Sequence, residues 1–556
     1  MKGVGAMVGW AAWVTMVMWF LAPGAMGAEG EPATRSRHVP VIATGWDSPD
    51  TKQFREGLAA FEQWGVFDGT TLRASRRLAT GEQKAATYAF ANEKWEWSEL
   101  ADSLADLKAA QPATCLENYL MLYSNPGDVD WFDDDGWREV VDHWRLLARL
   151  AHEGGLRGLL FDAEPYTPPY SQFLYRAQAG RDAHTFAEYR TQARQRGREV
   201  MEAVAAEFPE VTIFSYRLFS DLLGLLDSGD LTRALEPDTY GLLPAFVDGW
   251  FDVAPSTVRV IEGTEDIGYR ANSRAEYDGA FTRLKLHLAD FLDPEHREKV
   301  DRQFRVGHSL YLDAYTNPPD NPWHIDHTGS TAAARLAANL ASALGAADGL
   351  VWLYGEKARW WRAGHADSPF WPDAFPGAID AIRRARDPAA YARAVWSAEP
   401  RPANLLPNAD FATPADTEGP PEGWFQWQDD ASHGSVRTAG GLVELRAMLN
   451  GCFGVVIPAK AGALYAVRVQ TRSEGRGLAS LSVGWKTAEG VWTASPQNRR
   501  FVGARPPDAD GWCDVIGLVE VPASAGQMVF MGAAVGQLDE SDRCWFRAPA
   551  AAQAGP

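Results

Sequence analysis

Between residues 39 and about 396 the chain alternates short apolar runs with amphipathic helical stretches, and this alternation restricts the fold more than any other feature. A short apolar run followed by a longer helix is the unit of a parallel sheet, because a parallel neighbour is reached only through a long crossover. The runs are residues 40–45, 67–72, 115–122, 158–161, 211–215, 258–261, 306–312 and 349–353. Helical periodicity is clearest between the third and fourth, where Trp137, Val140, Val141, Trp144, Leu147 and Leu150 share one side. Eight such units predict an α/β fold, a (β/α)8 barrel over residues 38–397. Residues 242–251 read as a helical or loop insertion, and a strand at 239–243 would shift the count by one.

The pattern changes near Glu399-Pro400-Arg401-Pro402. Helical periodicity stops, and short alternating runs begin at 441–445, 453–457, 464–471, 479–485, 515–521 and 528–535. Gly, Pro and Asp turns separate them, which predicts an all-β sandwich over residues 402–548 followed by a loose tail. At the other end, Lys2, an apolar stretch over 4–21, Pro23-Gly24 and the small residues Ala25-Met26-Gly27-Ala28 read as a secretory signal over residues 1–28. The mature protein is therefore expected to be secreted or periplasmic, with no membrane span after cleavage. A formal net charge of −20 argues against nucleic acid as a partner. No CxxC or Cys/His cluster with zinc spacing occurs, and Cys452, Cys513 and Cys544 leave room for one late disulfide.

Acidic residues gather where the expected strands end. Asp47 follows the first, Asp162 and Glu164 the fourth, Glu262 the sixth, Asp313 the seventh and Glu356 the eighth. Barrels collect their reactive groups at this C-terminal face. Asp162 and Glu164 are spaced i, i+2, which in a strand puts both on one side. A protonated carboxyl beside an ionised one is what general acid/base catalysis requires. Glu164 is the expected acid and Asp162 its tuning neighbour. Glu262 is the first choice of partner, with Glu356 and Asp313 next. Trp46, Asp47, Tyr166, Arg217, Tyr311, Trp352 and Tyr354 fall at the same face and are the expected substrate contacts. His308, His324 and His327 have no diagnostic metal spacing, so no metal and no cofactor are expected.

The stretches Gly45-Trp46-Asp47-Ser48-Pro49-Asp50, Phe161-Asp162-Ala163-Glu164-Pro165-Tyr166, Val260-Ile261-Glu262-Gly263 and Trp352-Leu353-Tyr354-Gly355-Glu356 resemble a TIM-barrel glycoside hydrolase or a related hydrolase-like barrel. Asp162-Ala163-Glu164 is similar to the close of the chitinase motif. Arg157 and Leu160 stand where that motif has its earlier aspartates, and Ala163 stands where the large retaining clan has Asn. Asn404-Leu405-Leu406-Pro407-Asn408-Ala409-Asp410-Phe411 with Pro421-Glu422-Gly423-Trp424 resembles the jelly rolls of carbohydrate-binding modules. Together these imply a secreted glycosidase acting on a carbohydrate, with an appended jelly-roll sandwich. A non-catalytic glycan-binding protein on a degenerate barrel and a metal-assisted barrel hydrolase are the alternatives.

Overall fold

The structure is a computed structural model that describes residues 38–166, 171–361, 367–412, 416–494, 497–503 and 507–555. The expected signal lies outside the described residues. The chain divides into two compact units, residues 38–327 with 332–386, and residues 387–555 with 328–331. Among the described residues, no helix is long and apolar enough to cross a membrane.

The first unit is a mixed α/β body around a nearly closed, barrel-like parallel sheet. Its strands are β1 (Val41–Gly45), β2 (Gly69–Leu72), β3 (Tyr119–Pro126), β4 (Gly158–Asp162), β5 (Thr212–Ser215), β6 (Arg259–Glu262), β7 (Phe304–Val306), β8 (His308–Tyr311) and β9 (Val351–Gly355). The order is β7-β6-β5-β4-β3-β2-β1-β9-β8, with every neighbouring pair parallel. The two ends of this order are consecutive in the chain, separated only by Gly307. The Gly307 N–H bonds to the Glu262 carbonyl on one side (2.7 Å), and the next N–H, of His308, bonds to Leu350 on the other (3.0 Å).

Rings from strands that are not neighbours meet in the space the sheet encloses. Tyr119 of β3 lies 5.7 Å from Phe214 of β5, and Phe214 lies 6.0 Å from Trp352 of β9. Contacts of this kind need the sheet to curl, because a flat one would hold β3 and β9 apart. Thr44, Thr71 and Tyr216 form a hydrogen-bonded layer with one another.

The helices bury their apolar sides outside the sheet. Asp134–Glu153 is started by Asp133, whose carboxylate accepts from the N–H groups of Asp135 and Gly136. Residues 239–243 add no strand. Leu243–Val253 is a helix, buried along most of its length against Phe186–Glu207. Two glycines permit that approach. A Cβ on Gly197 would sit 1.9 Å from the Phe246 carbonyl oxygen, and one on Gly249 would sit 2.0 Å from that of Arg194.

The second unit holds two antiparallel sheets. Its strands are β10 (Thr417–Glu418), β11 (Phe425–Gln428), β12 (Ser435–Ala439), β13 (Leu442–Arg446), β14 (Asn450–Pro458), β15 (Leu464–Glu474), β16 (Leu478–Lys486), β17 (Arg499–Phe501), β18 (Cys513–Glu520), β19 (Gln527–Val535) and β20 (Arg543–Gly555). One sheet runs β10-β12-β13-β20-β15-β18 and the other β11-β14-β19-β16-β17. The expected loose tail is instead the end of β20, paired to β15 as far as Gly555 opposite Leu464. Small residues hide that strand in the sequence, yet Ala551 and Ala552 are buried. The helix Pro388–Ser397 belongs to this unit, where Ala392 and Trp396 pack on Ala466 and Ala552. All four cysteines are free thiols, so no late disulfide forms.

Candidate active site

The acids at the strand ends separate into two kinds, those spent on backbone and those left facing the mouth. Glu262, last in β6, is fully buried. Its Oε2 accepts from the N–H groups of Leu218 (2.9 Å), Phe219 (2.7 Å) and Ser220 (3.4 Å). Its Oε1 accepts from the Ser220 hydroxyl and the Thr264 N–H, both at 3.0 Å. Burial pushes this carboxyl up while the backbone donors oppose the rise. Glu262 thus pins the loop after β5, and its oxygens have no room for a substrate.

Asp313 and Asp47 are anchors of the same sort. Asp313 is buried and accepts from the N–H groups of Glu356 (2.9 Å) and Lys357 (3.2 Å), which shapes the loop after β9. Asp47 Oδ2 accepts from Trp360 (2.5 Å) and Trp361 (3.1 Å), and burial pushes its carboxyl up to about 6. Trp352 is fully buried, stacks on Tyr216 at 4.4 Å and donates its indole N–H to the Gly263 carbonyl. It fills the space the barrel-like sheet encloses and presents no face to a ligand.

Asp162 and Glu164 do not share a strand face, because β4 ends at Asp162. Asp162 Oδ1 instead accepts from the Glu164 N–H (2.9 Å), and Oδ2 accepts from the Tyr166 hydroxyl (2.7 Å). Burial pushes the Asp162 carboxyl up to about 6, with the nearby Glu164 charge adding and Arg217 opposing. Glu164 is held from behind, its carbonyl accepting from the Asn125 amide at 2.7 Å. The half-exposed Tyr166 ring lies alongside, and its hydroxyl is also within hydrogen-bonding reach of the Glu164 side chain.

The mouth holds a carboxyl that the strand-end pattern passes over, Glu265. It opens the short helix Glu265–Arg270, entered through Thr264 at φ 51°. Its Oε2 accepts both from Arg217 Nη2 (2.7 Å) and from Arg217 Nε (3.0 Å). Its Oε1 has no hydrogen-bond partner among the described residues. Burial pushes Glu265 up to about 8, with the Asp162 and Glu164 charges adding to the rise and Arg217 opposing it. The Arg217 guanidinium is shared with Asp221 at 2.8 Å. An arginine spread over two acids restrains one carboxyl less than a dedicated partner would, so burial outweighs it. The run Glu262-Gly263-Thr264-Glu265 carries two acids three apart, and only the fold shows which one faces Arg217.

Opposite in strand order, Glu356 Oε2 accepts from the Tyr311 hydroxyl (3.2 Å), and the Tyr354 phenol lies within electrostatic reach of this carboxylate. Burial pushes Glu356 up. Trp46, 55 % exposed, contacts the Tyr354 hydroxyl through its indole. Of the expected residues, the mouth therefore brings together Asp162, Glu164, Tyr166, Arg217, Tyr311, Tyr354, Glu356 and Trp46. Glu262, Asp313, Asp47 and Trp352 stand behind it. Among the described residues no three His, Cys, Asp or Glu side chains are arranged to hold a metal ion. His308 is buried against Thr264, and His324 and His327 bond to backbone carbonyls.

The second unit has an aromatic face of its own. On the outer side of the five-stranded sheet, Phe425, Trp427 and Trp492 pack over Cys452, Val529, Met531 and Ala533. Gly484 makes room there, since a Cβ on it would meet the Trp492 ring at 2.7 Å.

No protein-family model matches the chain, and no curated protein matches it. Similar solved structures include one described as "CBM4 structure and function", at 15% identity and a TM-score of 0.20, covering 27% of this chain and 99% of that one. A family 29 carbohydrate-binding module matches at 15% identity and a TM-score of 0.17, covering 25% of this chain and 85% of that one. A structure from Bacteroides thetaiotaomicron described as a sugar-binding protein matches at 14% identity and a TM-score of 0.20, covering 27% and 100%. Likeness at this level says nothing about what this chain binds or cleaves.

Proposed function

We propose that this chain is an exported glycoside hydrolase whose catalytic unit is a (β/α)8 barrel, with β7 and β8 as one strand interrupted at Gly307. The chemistry is assigned to Glu265 and Glu164. Glu265 donates a proton from Oε1 to the leaving glycosidic oxygen while Arg217 holds Oε2. Glu164 acts as base or nucleophile, and Asp162 and Tyr166 fix the loop that carries it. The observation that carries this reading is Glu265 itself, a buried carboxyl pushed up to about 8, with an open oxygen, within electrostatic reach of Glu164. A carboxyl raised far enough to keep its proton at neutral pH is what acid catalysis at a sugar requires. This moves the acid from Glu164 to Glu265 and replaces Glu262 as the partner. Export rests on the leader-like start of the sequence.

A second role, glycan contact by the sandwich, is supported by Trp427 and Trp492 on its outer face. One experiment covers both. The mature protein is incubated with a panel of glycans, and reducing-end release is measured for wild type, Glu164→Gln and Trp427→Ala. Wild type is expected to cleave at least one glycan. Glu164→Gln is expected to lose about 10²-fold or more, and Trp427→Ala to lose binding to insoluble glycan while still cleaving short oligosaccharides. Equal turnover by Glu164→Gln removes Glu164 from the mechanism. Retained binding with no wild-type turnover on any glycan marks a binding protein, and loss of turnover with chelator marks metal-assisted chemistry.

A further inference from the structure

The wall between β1, β8 and β9 is aromatic and carries its own carboxylate. The Tyr269, Tyr311 and Tyr354 rings contact one another at 5.1, 5.8 and 5.9 Å between centroids. Trp46 extends the wall into solvent and Trp323 closes its far side, 6.0 Å from Tyr311. The Tyr311 hydroxyl donates to Glu356, and Glu356, Glu265 and Asp162 are all within electrostatic reach of the Tyr354 phenol. Among the described residues the nearby guanidinium and ammonium groups already have hydrogen-bond partners. Arg217 is shared by Glu265 and Asp221, Arg73 bonds the Ser48 carbonyl, and the Lys357 ammonium bonds Asn317. Arg270 lies over the Trp323 ring at 4.2 Å, so this wall already receives one cation on an aromatic face. A separate observation concerns Tyr269. Its hydroxyl is buried behind the wall, near Glu265 and Tyr354, and has no hydrogen-bond partner among the described residues.

We propose that the subsite formed by Tyr269, Tyr311, Tyr354, Trp46 and Glu356 receives a sugar that carries a free amino group, bound as its ammonium. This rests on the glycosidase reading for the statement that the ligand is a sugar. Aromatic faces flanked by carboxylates attract a compact cation, and a phenol that donates to a carboxylate keeps an electron-rich ring for it. An anionic sugar would face the Glu356 carboxylate and the Asp162 side chain. An N-acetylated sugar would bring a neutral amide in place of the charge this wall complements. Burial pushes Glu356 up, and a bound cation would favour its ionised form where a neutral hydroxyl would not.

The test is calorimetric binding of three tetrasaccharides to the full chain carrying Glu164→Gln, which suppresses cleavage: a β-1,4-glucosamine tetramer, its fully N-acetylated form and the corresponding glucose tetramer. The glucosamine tetramer is expected to bind at least 10-fold more tightly than either, and raising salt is expected to shrink that advantage. Adding Glu356→Gln is expected to bring the three within about twofold. Tyr354→Phe, a milder change, is expected to narrow the preference in the same direction. Equal binding of the three, tighter binding of a neutral one, or binding of none overturns the proposal. Cleavage of neutral glycans without an amine preference would leave the glycosidase reading standing and remove this one. An amine preference in a wild-type chain that turns over no glycan of the panel would leave this subsite standing and remove the glycosidase reading.

Discussion

Replacing Glu265 by Gln is expected to lower kcat/KM on an unactivated glycoside by roughly 10²–10⁴-fold, the range over which a positioned proton donor contributes. The same change is expected to cost far less on an aryl glycoside whose leaving group departs as a stable anion. Glutamine keeps the Oε2-like acceptor for Arg217 and nearly the same shape, so the ion pair geometry at 2.7 and 3.0 Å has a close replacement. What is lost is the proton on Oε1. The loss should therefore scale with the leaving group's need for protonation, which a folding defect would not do. Kinetics on two substrates that differ only in the leaving group decide it. An equal loss on both would show that Glu265 supports the site without donating.

Glu262→Ala is expected to destabilise the barrel unit by about 4 kcal/mol. It leaves four backbone N–H groups, those of Leu218, Phe219, Ser220 and Thr264, without their acceptor. Each unpaired buried donor costs about 1–3 kcal/mol, and the four share one cavity, so their costs do not simply add. The loop they belong to carries Arg217, and its release should also disorder the Glu265 contact. Thermal unfolding of Glu262→Ala beside Glu262→Gln measures this. Alanine should lower Tm strongly, and glutamine, which keeps one acceptor oxygen, by much less. A catalytic Glu262 would give the opposite pattern, with glutamine abolishing turnover at an unchanged Tm.

The strand-ending acids explain what could be read in advance. The alternation of apolar runs and helices located the strands of the barrel-like sheet to within a few residues, because buried parallel strands are continuous apolar runs, but it read β7 and β8 as one. It missed that β3 begins at Tyr119, since Cys115 packs as an ordinary core residue before the strand starts. The end of β20 was invisible because alanines carry little hydrophobic signal. The acids were harder. A carboxylate after a strand looks the same whether it accepts loop N–H groups, as Glu262, Asp313 and Asp47 do, or faces the mouth, as Glu164 and Glu356 do. Which one it does depends on where the next loop's N–H groups point, and that is a tertiary fact. Glu265 was passed over because it follows the strand end by three residues. Its partner Arg217 is 48 residues away in the chain.

The pH dependence of kcat/KM on one cleaved glycan tests the central claim most directly. Glu265 must hold its proton to act, so activity should fall as pH rises through about 8, the value to which burial pushes it. Wild type is expected to show this alkaline limb. The residual activity of Glu265→Gln on an aryl glycoside is expected to lack it, because glutamine has no proton to lose. The same limb persisting in Glu265→Gln would contradict the assignment of Glu265 as the acid.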